Sequence, residues 1–175
     1  MYKKAICITA LLLACFSIQV KSQLSELTSP NGKLKITIRF DDKVHYDISC
    51  NGHLLLENCG IGLETKNGMI GENPRLRDQK KTTVKEIIEP VVPLKFSKVE
   101  NHYNALFLNF KGNYAVEFRA FDEGIAYRII LNQKEKLEIL NEDFSLQFPN
   151  DYLLHLQPVG GFKTSYEEDY KQVES

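Results

Sequence analysis

The 175-residue sequence contains no tryptophan and only two methionines. Sugar-binding surfaces often use flat aromatic faces, so that role would fall to the eight tyrosines. The ten phenylalanines read first as sheet core. Neither sign of charge dominates: 22 Lys and Arg stand against 23 Asp and Glu. That removes the electrostatic argument for a nucleic-acid partner or for an anionic membrane surface. No apolar run is long enough for a comfortable membrane span. Also missing are a Gly-x-Ser-x-Gly elbow, a His-Glu-x-x-His zinc motif, a phosphate loop and paired Cys-x-x-Cys motifs. His45, His53, His102 and His155 are scattered, and no spacing makes a local metal site of them.

What is present begins with an export signal. Lys3 and Lys4 form a basic start, residues 5–14 (AICITALLLA) an apolar stretch, and Val20-Lys21-Ser22 a small-residue cleavage site before Gln23. The expected product is a mature chain of residues 23–175, periplasmic or secreted. Cys15 after Leu-Leu-Ala offers a lipoprotein alternative. Plain cleavage is favoured because Phe-Ser-Ile-Gln-Val follows, where a lipoprotein carries a polar tether.

Two of the four cysteines leave with the signal. Cys50 and Cys59 remain in a segment, VHYDISC-NG-HLLLENCG, that reads as a hairpin with an Asn51-Gly52 type I′ turn. With straight strands Cys50 lies opposite His53 and Cys59 near Val44, at opposite ends of the ribbon. A disulfide needs Cα atoms within about 7 Å, so both thiols are expected free and largely buried.

The rest reads as short strands between turn signals. Leu34, Ile36 and Ile38 alternate with Lys35, Thr37 and Arg39 after Pro30-Asn31-Gly32. Gly60 and Gly62 around Ile61 indicate a bulge or close backbone packing. Residues 66–81 are polar and rich in turn formers, hence a loop. Strands are expected at 82–89 and 94–99, at 104–111 and 114–121 about Gly112-Asn113, and at 125–132 after an Asp122-Glu123-Gly124 turn. One or two more are expected within 137–149, then a short one at 153–156. Residues 158–170 lose periodicity and read as loop. With no useful helix, this pattern predicts an all-β, antiparallel β-sandwich.

Chemistry concentrates in one place, the run Tyr166-Glu167-Glu168-Asp169-Tyr170. Hard cations such as calcium take several oxygen ligands, usually from carboxylates. This run could give one or two ligands but not a whole site, and most such runs are solvated surface.

The order LTSPNGKLKITI, DISCNGHLLLENCGIGLE, KVENHYNALFLNF, AVEFRAFDEGIAYRI and FKTSYEEDY resembles the N-terminal domain of glycoside hydrolase family 97. The resemblance covers nearly all of residues 23–175, and AVEFRAFDEGIAYRI is its most specific piece. It implies exported α-glucosidases or α-galactosidases with an N-terminal β-super-sandwich, a central barrel bearing the catalytic carboxylates, and a small C-terminal β domain. It also implies a calcium ion held mainly by barrel glutamates. One further ligand would come from the N-terminal domain, a glutamate followed two residues later by Asp-Tyr. Glu167 matches that position, and Glu168 is the alternative. On this reading residues 23–175 are an incomplete sandwich, without its closing strands and without the barrel. Hydrolysis by this chain alone is not expected, since two positioned carboxylates are required. Its partners would be the sugar substrate, an α-glucoside or α-galactoside reached through the barrel, and a barrel on a separate chain. The competing expectations are a free-standing carbohydrate-binding sandwich and a non-functional gene fragment.

Overall fold

The computed structural model describes residues 23–93, 95–134, 136–161, 163 and 168–174. The fold is all-β and antiparallel, as the strand pattern predicted. Five strands form the spine of the first sheet: β1 (Gln23–Thr28), β2 (Leu34–Phe40), β3 (Val44–Cys50), β4 (His53–Thr65) and β10 (Ile139–Phe144), in that spatial order. A short β5 (Gly68–Ile70) also pairs with β4. The second sheet is a meander of β6 (Leu76–Ile88), β7 (Val99–Phe110), β8 (Tyr114–Phe121) and β9 (Ile125–Leu131). A separate ribbon pairs β11 (Leu153–Leu156) with β12 (Lys171–Glu174).

The period-two alternation decides which face is buried. Ile36 and Ile38 of β2 are fully buried, whereas Lys35 reaches outward to Glu26. On β8, Tyr114, Val116, Phe118 and Ala120 enter the same core from the other sheet. Between the sheets, the ring of Phe40 meets that of Phe110 edge-on at 5.5 Å, and Tyr46 meets Phe118 at 6.1 Å. Offset and edge contacts of this kind add to the hydrophobic burial of the rings.

The turns explain much of the register. Asn51 and Gly52 both have positive φ, 51° and 81°, which is the type I′ geometry. Cys50 accordingly faces His53. The strands are not straight, however. Two register shifts in β3–β4, with Asn58 at φ 54°, place Cys59 opposite Tyr46 instead of Val44. Each bulge inserts an unpaired residue and slides the following pairs. Both thiols are free as expected, Cys59 buried and Cys50 only partly so. Close backbone packing around Gly62 is also present. Gly71 crosses there, and a Cβ on Gly71 would lie 2.7 Å from the Ile61 carbonyl oxygen.

Three segments differ from the sequence reading. Residues 66–81 are not one loop, since β5 and the first half of β6 lie there. The polar stretch Arg77-Asp78-Gln79-Lys80-Lys81 pairs along β7 with mostly exposed side chains, so it has no buried face to reveal. Residues 95–98 are not a strand. Pro90 and Pro93 interrupt pairing, which resumes at Val99. Finally, residues 171–174, for which the sequence suggested no strand, pair with β11.

Candidate functional site

The acidic run lies just before β12. Glu167 falls outside the described residues. Glu168 is exposed, and its backbone carbonyl accepts a hydrogen bond from Gln157 Nε2 at 2.6 Å. Gln157 directly follows β11, so this bond and the Leu156–Lys171 pairing close the two ends of the 157–170 excursion. Asp169 and Tyr170 are exposed too. Among the described residues neither Glu168 nor Asp169 has an ion-pair partner. Adjacent solvated carboxylates are the right donors for a hard cation, but too few to complete its shell. The donor set therefore fits calcium as a partial site.

A second polar cluster was missed by sequence reading. Asp41, Asp42 and His45 converge at the β2–β3 turn, with potential ligand atoms within 4.8 Å of one another. His45 Nε2 lies 3.1 Å from Asp42 and 3.6 Å from Asp41. The hydrogen bond with His45, followed by one with Asp41, holds the Asp42 carboxyl below its usual range. The signal was available in the i, i+3 and i, i+4 spacing around Asp-Asp-Lys. The arrangement braces a tight turn, and both aspartates face open water.

The most charged buried group is Glu117 on β8, only 9% exposed. Arg119 Nε donates to it at 2.9 Å and Arg128 Nε at 2.5 Å. Arg119 also stacks over the Tyr103 ring at 4.8 Å. Burial pushes the Glu117 carboxyl up, but the two arginine hydrogen bonds outweigh it and hold the group below the usual carboxylate range. This triad lies within AVEFRAFDEGIAYRI and ties β9 to β8 on the outer face of the second sheet. The buried carboxylate is compensated by two guanidinium groups, so the triad reads as architecture more than chemistry.

Three further clefts among the described residues bear on binding. A polar one of about 510 Å³, lined by Glu26, Lys81, Thr83 and Asn104 among others, has no aromatic face for a sugar. An apolar one of about 550 Å³ lies between Ile48, Leu56 and Ile125 of the sandwich and Phe148, Tyr152 and Leu153 near β11. A groove of about 630 Å³ separates β9 from β10 and is lined by Leu63, Ile125, Tyr127, Ile129, Glu142 and Phe144. Burial pushes the Tyr127 phenol up to about 12. No described cleft contains a pair of carboxylates arranged for glycoside cleavage. No helix among the described residues is long and apolar enough to cross a membrane.

Comparison with known proteins accounts for this architecture. A retaining alpha-galactosidase of Bacteroides thetaiotaomicron is 38% identical over 169 residues, spanning 96% of this chain but 25% of the relative. A crystal structure of a beta-arabinopyranosidase superposes with TM-score 0.70 at 25% identity, covering 84% of this chain and 26% of that one. A glycoside hydrolase family 97 enzyme from Pseudoalteromonas sp. strain K8, in complex with panose, gives TM-score 0.73 at 22% identity, over 85% and 24% of the two chains. This chain thus spans about a quarter of the length of the relatives it matches. The model of the glycosyl-hydrolase 97 N-terminal family matches residues 27–175, and the chain belongs to that family.

Proposed function

We propose that this chain is the N-terminal β-sandwich portion of an exported α-glycosidase, which packs on a catalytic barrel and donates one calcium ligand without being catalytic alone. The observation that carries the reading is the family match across the whole sandwich, in a chain that covers a quarter of a retaining alpha-galactosidase. Glu167 is the proposed ligand and Glu168 its alternative. The carboxylates of Glu168 and Asp169, exposed and without an ion-pair partner among the described residues, support a cation-facing role for this run. Calcium, when bound, supplies a fixed positive charge at the active site. The chain's own contribution is to supply that carboxylate from the run that precedes β12, whose Lys171 pairs with Leu156. Residues 1–22, outside the described residues, are proposed to direct export. A mature protein starting at Gln23, read from its intact mass, checks that step.

The test joins residues 23–175 to the remaining three quarters of the Bacteroides thetaiotaomicron relative. Glu167→Gln in this chimera is expected to weaken calcium binding by about tenfold, as for loss of a charged ligand partner. Hydrolysis of an α-galactoside should fall with it and recover with excess calcium. Calcium dependence identical to the parent chimera removes Glu167, and the same result in Glu168→Gln removes the assignment altogether.

A further inference from the structure

The sequence contains three Asn-Gly steps, Asn31-Gly32, Asn51-Gly52 and Asn67-Gly68. Glycine leaves the following backbone nitrogen uncrowded and free to turn. In that setting the nitrogen can reach the asparagine Cγ and displace ammonia. All six residues are exposed, so access to water does not separate the three sites. Hydrogen bonding does.

Asn31 is tied on every side. Its Oδ1 accepts from Ser29 Oγ at 2.7 Å and from the Lys33 N–H at 2.9 Å. Its own N–H donates to Asp122 Oδ1 at 2.9 Å, and the Gly32 N–H donates to the Ser29 carbonyl at 2.9 Å. The side chain to be attacked and the nitrogen that would attack are thus both anchored. Asn67 is clamped by one hydroxyl. Thr65 Oγ1 accepts from the Asn67 N–H at 3.1 Å and donates to the Gly68 carbonyl at 2.7 Å. These contacts lie on either side of the peptide that would have to rotate, and Gly68 is already paired with Thr65 in the β4–β5 ladder.

Asn51 has neither restraint. Among the described residues its Nδ2 reaches only the Cys50 sulfur, at 3.7 Å, and the Gly52 N–H has no partner. The Asn51 N–H donates to the Lys33 carbonyl at 2.8 Å, which fixes the entry to the turn but not the peptide after it. Turning that peptide takes the type I′ turn toward type II′. The first central residue keeps φ near 60°, and its ψ moves from about 30° to about −120°. There the Gly52 nitrogen eclipses Cβ, as a five-membered ring through N, C, Cα, Cβ and Cγ requires. Both turn types join the same two strands, and glycine readily takes the reversed φ at the second position. Of the asparagines at positive φ, Asn51, Asn58, Asn73 and Asn113, only Asn51 precedes a glycine.

We propose that Asn51 is a site of spontaneous covalent modification, deamidated by its own backbone. The Gly52 nitrogen gives up its proton to solvent and bonds to Asn51 Cγ. The Cγ–Nδ2 bond breaks, and Nδ2 leaves, protonated, as ammonia. Water then opens the cyclic imide. Attack at Cγ breaks the new N–Cγ bond and gives aspartate. Attack at the backbone carbonyl breaks the original peptide bond and gives isoaspartate, with Cβ now in the main chain. Either way one water is consumed and one ammonia released, with no change of oxidation state. The isoaspartyl form lengthens a two-residue turn by one atom and so works against the Cys50–His53 pair that the turn joins.

Holding the chain at mildly alkaline pH and mapping its peptides by mass tests this, since each event adds about 1 Da. Asn51 should convert at least about tenfold faster than Asn31 or Asn67, the factor that two ordinary hydrogen bonds withhold. Part of the product should accept a methyl group from an L-isoaspartyl methyltransferase used as a reagent. In urea, where these bonds are gone, the three rates should converge. Thr65→Val removes the clamp and should bring Asn67 close to the rate of Asn51, whereas Thr65→Ser should leave it slow. Asn51→Gly tolerates the positive φ and should abolish the fast event without slowing the other two. The proposal fails if Asn51 is no faster than the others in the folded chain. It fails too if the order of rates survives in urea, since local sequence and not the fold would then set it.

Discussion

The sandwich has one sealed flank and one open flank. On the sealed side β1 lies against the second sheet: Ser25 Oγ donates to Gln79 Oε1 at 2.6 Å, and Asn104 Nδ2 donates to the Thr28 carbonyl at 2.8 Å. Behind these bonds Leu27 and Leu106 are buried, at 4% and 0% exposure. On the open side β9 and β10 stand apart, with Ile129 only partly buried and Phe144 at 55% exposure. Both flanks use the same materials, β-branched and aromatic residues at period two. The difference is that two hydrogen bonds tie β1 and its turn to the second sheet on one flank, and that β6 is lined with charges where β9 carries only Arg128. A flank can therefore be recognised as finished from its edge chemistry as much as from its core.

The largest test of this contrast compares core truncations on the two sides. Leu106→Ala should cost about 3 kcal/mol, the usual loss for a buried leucine that leaves a cavity. Ile129→Ala in the isolated chain should cost about 1 kcal/mol, because its site is already half open to water. Urea unfolding of both variants measures the difference. Equal losses would show that the β9 flank is as well packed as the other.

Glu117→Gln should have an intermediate effect, about 2 kcal/mol, since it weakens two hydrogen bonds to charged arginines around a buried group. Its sign with pH is fixed by direction. The folded carboxyl is held below its unfolded value. Its stabilisation is therefore complete above the unfolded value and is lost as pH falls through the folded one. The wild-type chain should lose stability across that acidic window more steeply than Glu117→Gln. Parallel acid unfolding curves would show that the triad does not anchor β9.

How much of this was legible follows from burial. The strands around Ile36, Phe118 and Tyr127 could be read because one side of each faces the core, and Asn51-Gly52 named its own turn. Lys80 and Lys81 hid the first half of β6, for an edge strand with both faces wet has no periodicity to show. The slide of Cys59 from Val44 to Tyr46 was hidden because a bulge is a local backbone event at Asn58, with no apolar signature. The burial of Glu117 was hidden as well. A glutamate in a strand reads as solvent-facing until two arginines, one from the neighbouring strand, are brought over it. Of the acidic run, Glu168 lies on the surface as such a run should, and Glu167 lies outside the described residues. The role proposed for Glu167 came only from the resemblance of its motif to that of the family.

The smallest effects sharpen the comparison most cleanly, because they leave the core alone. Asn104→Ala removes the amide that reaches from the second sheet to the Thr28 carbonyl and should cost about 1 kcal/mol, the net worth of an ordinary hydrogen bond. Lys66→Ala, near β10, removes an ion pair with Glu138 in which both side chains are more than half exposed. Exposed pairs of this kind contribute between about 0 and 1 kcal/mol and are screened by salt. Half-molar salt should therefore shrink whatever difference Lys66→Ala makes, while leaving that of Asn104→Ala unchanged. The physical reason is that the asparagine bond is neutral and crosses between sheets, so it reports the seam itself. If Lys66→Ala proves the costlier variant at both salt concentrations, the open flank is being held by its charges and the two sides differ less than their geometry indicates.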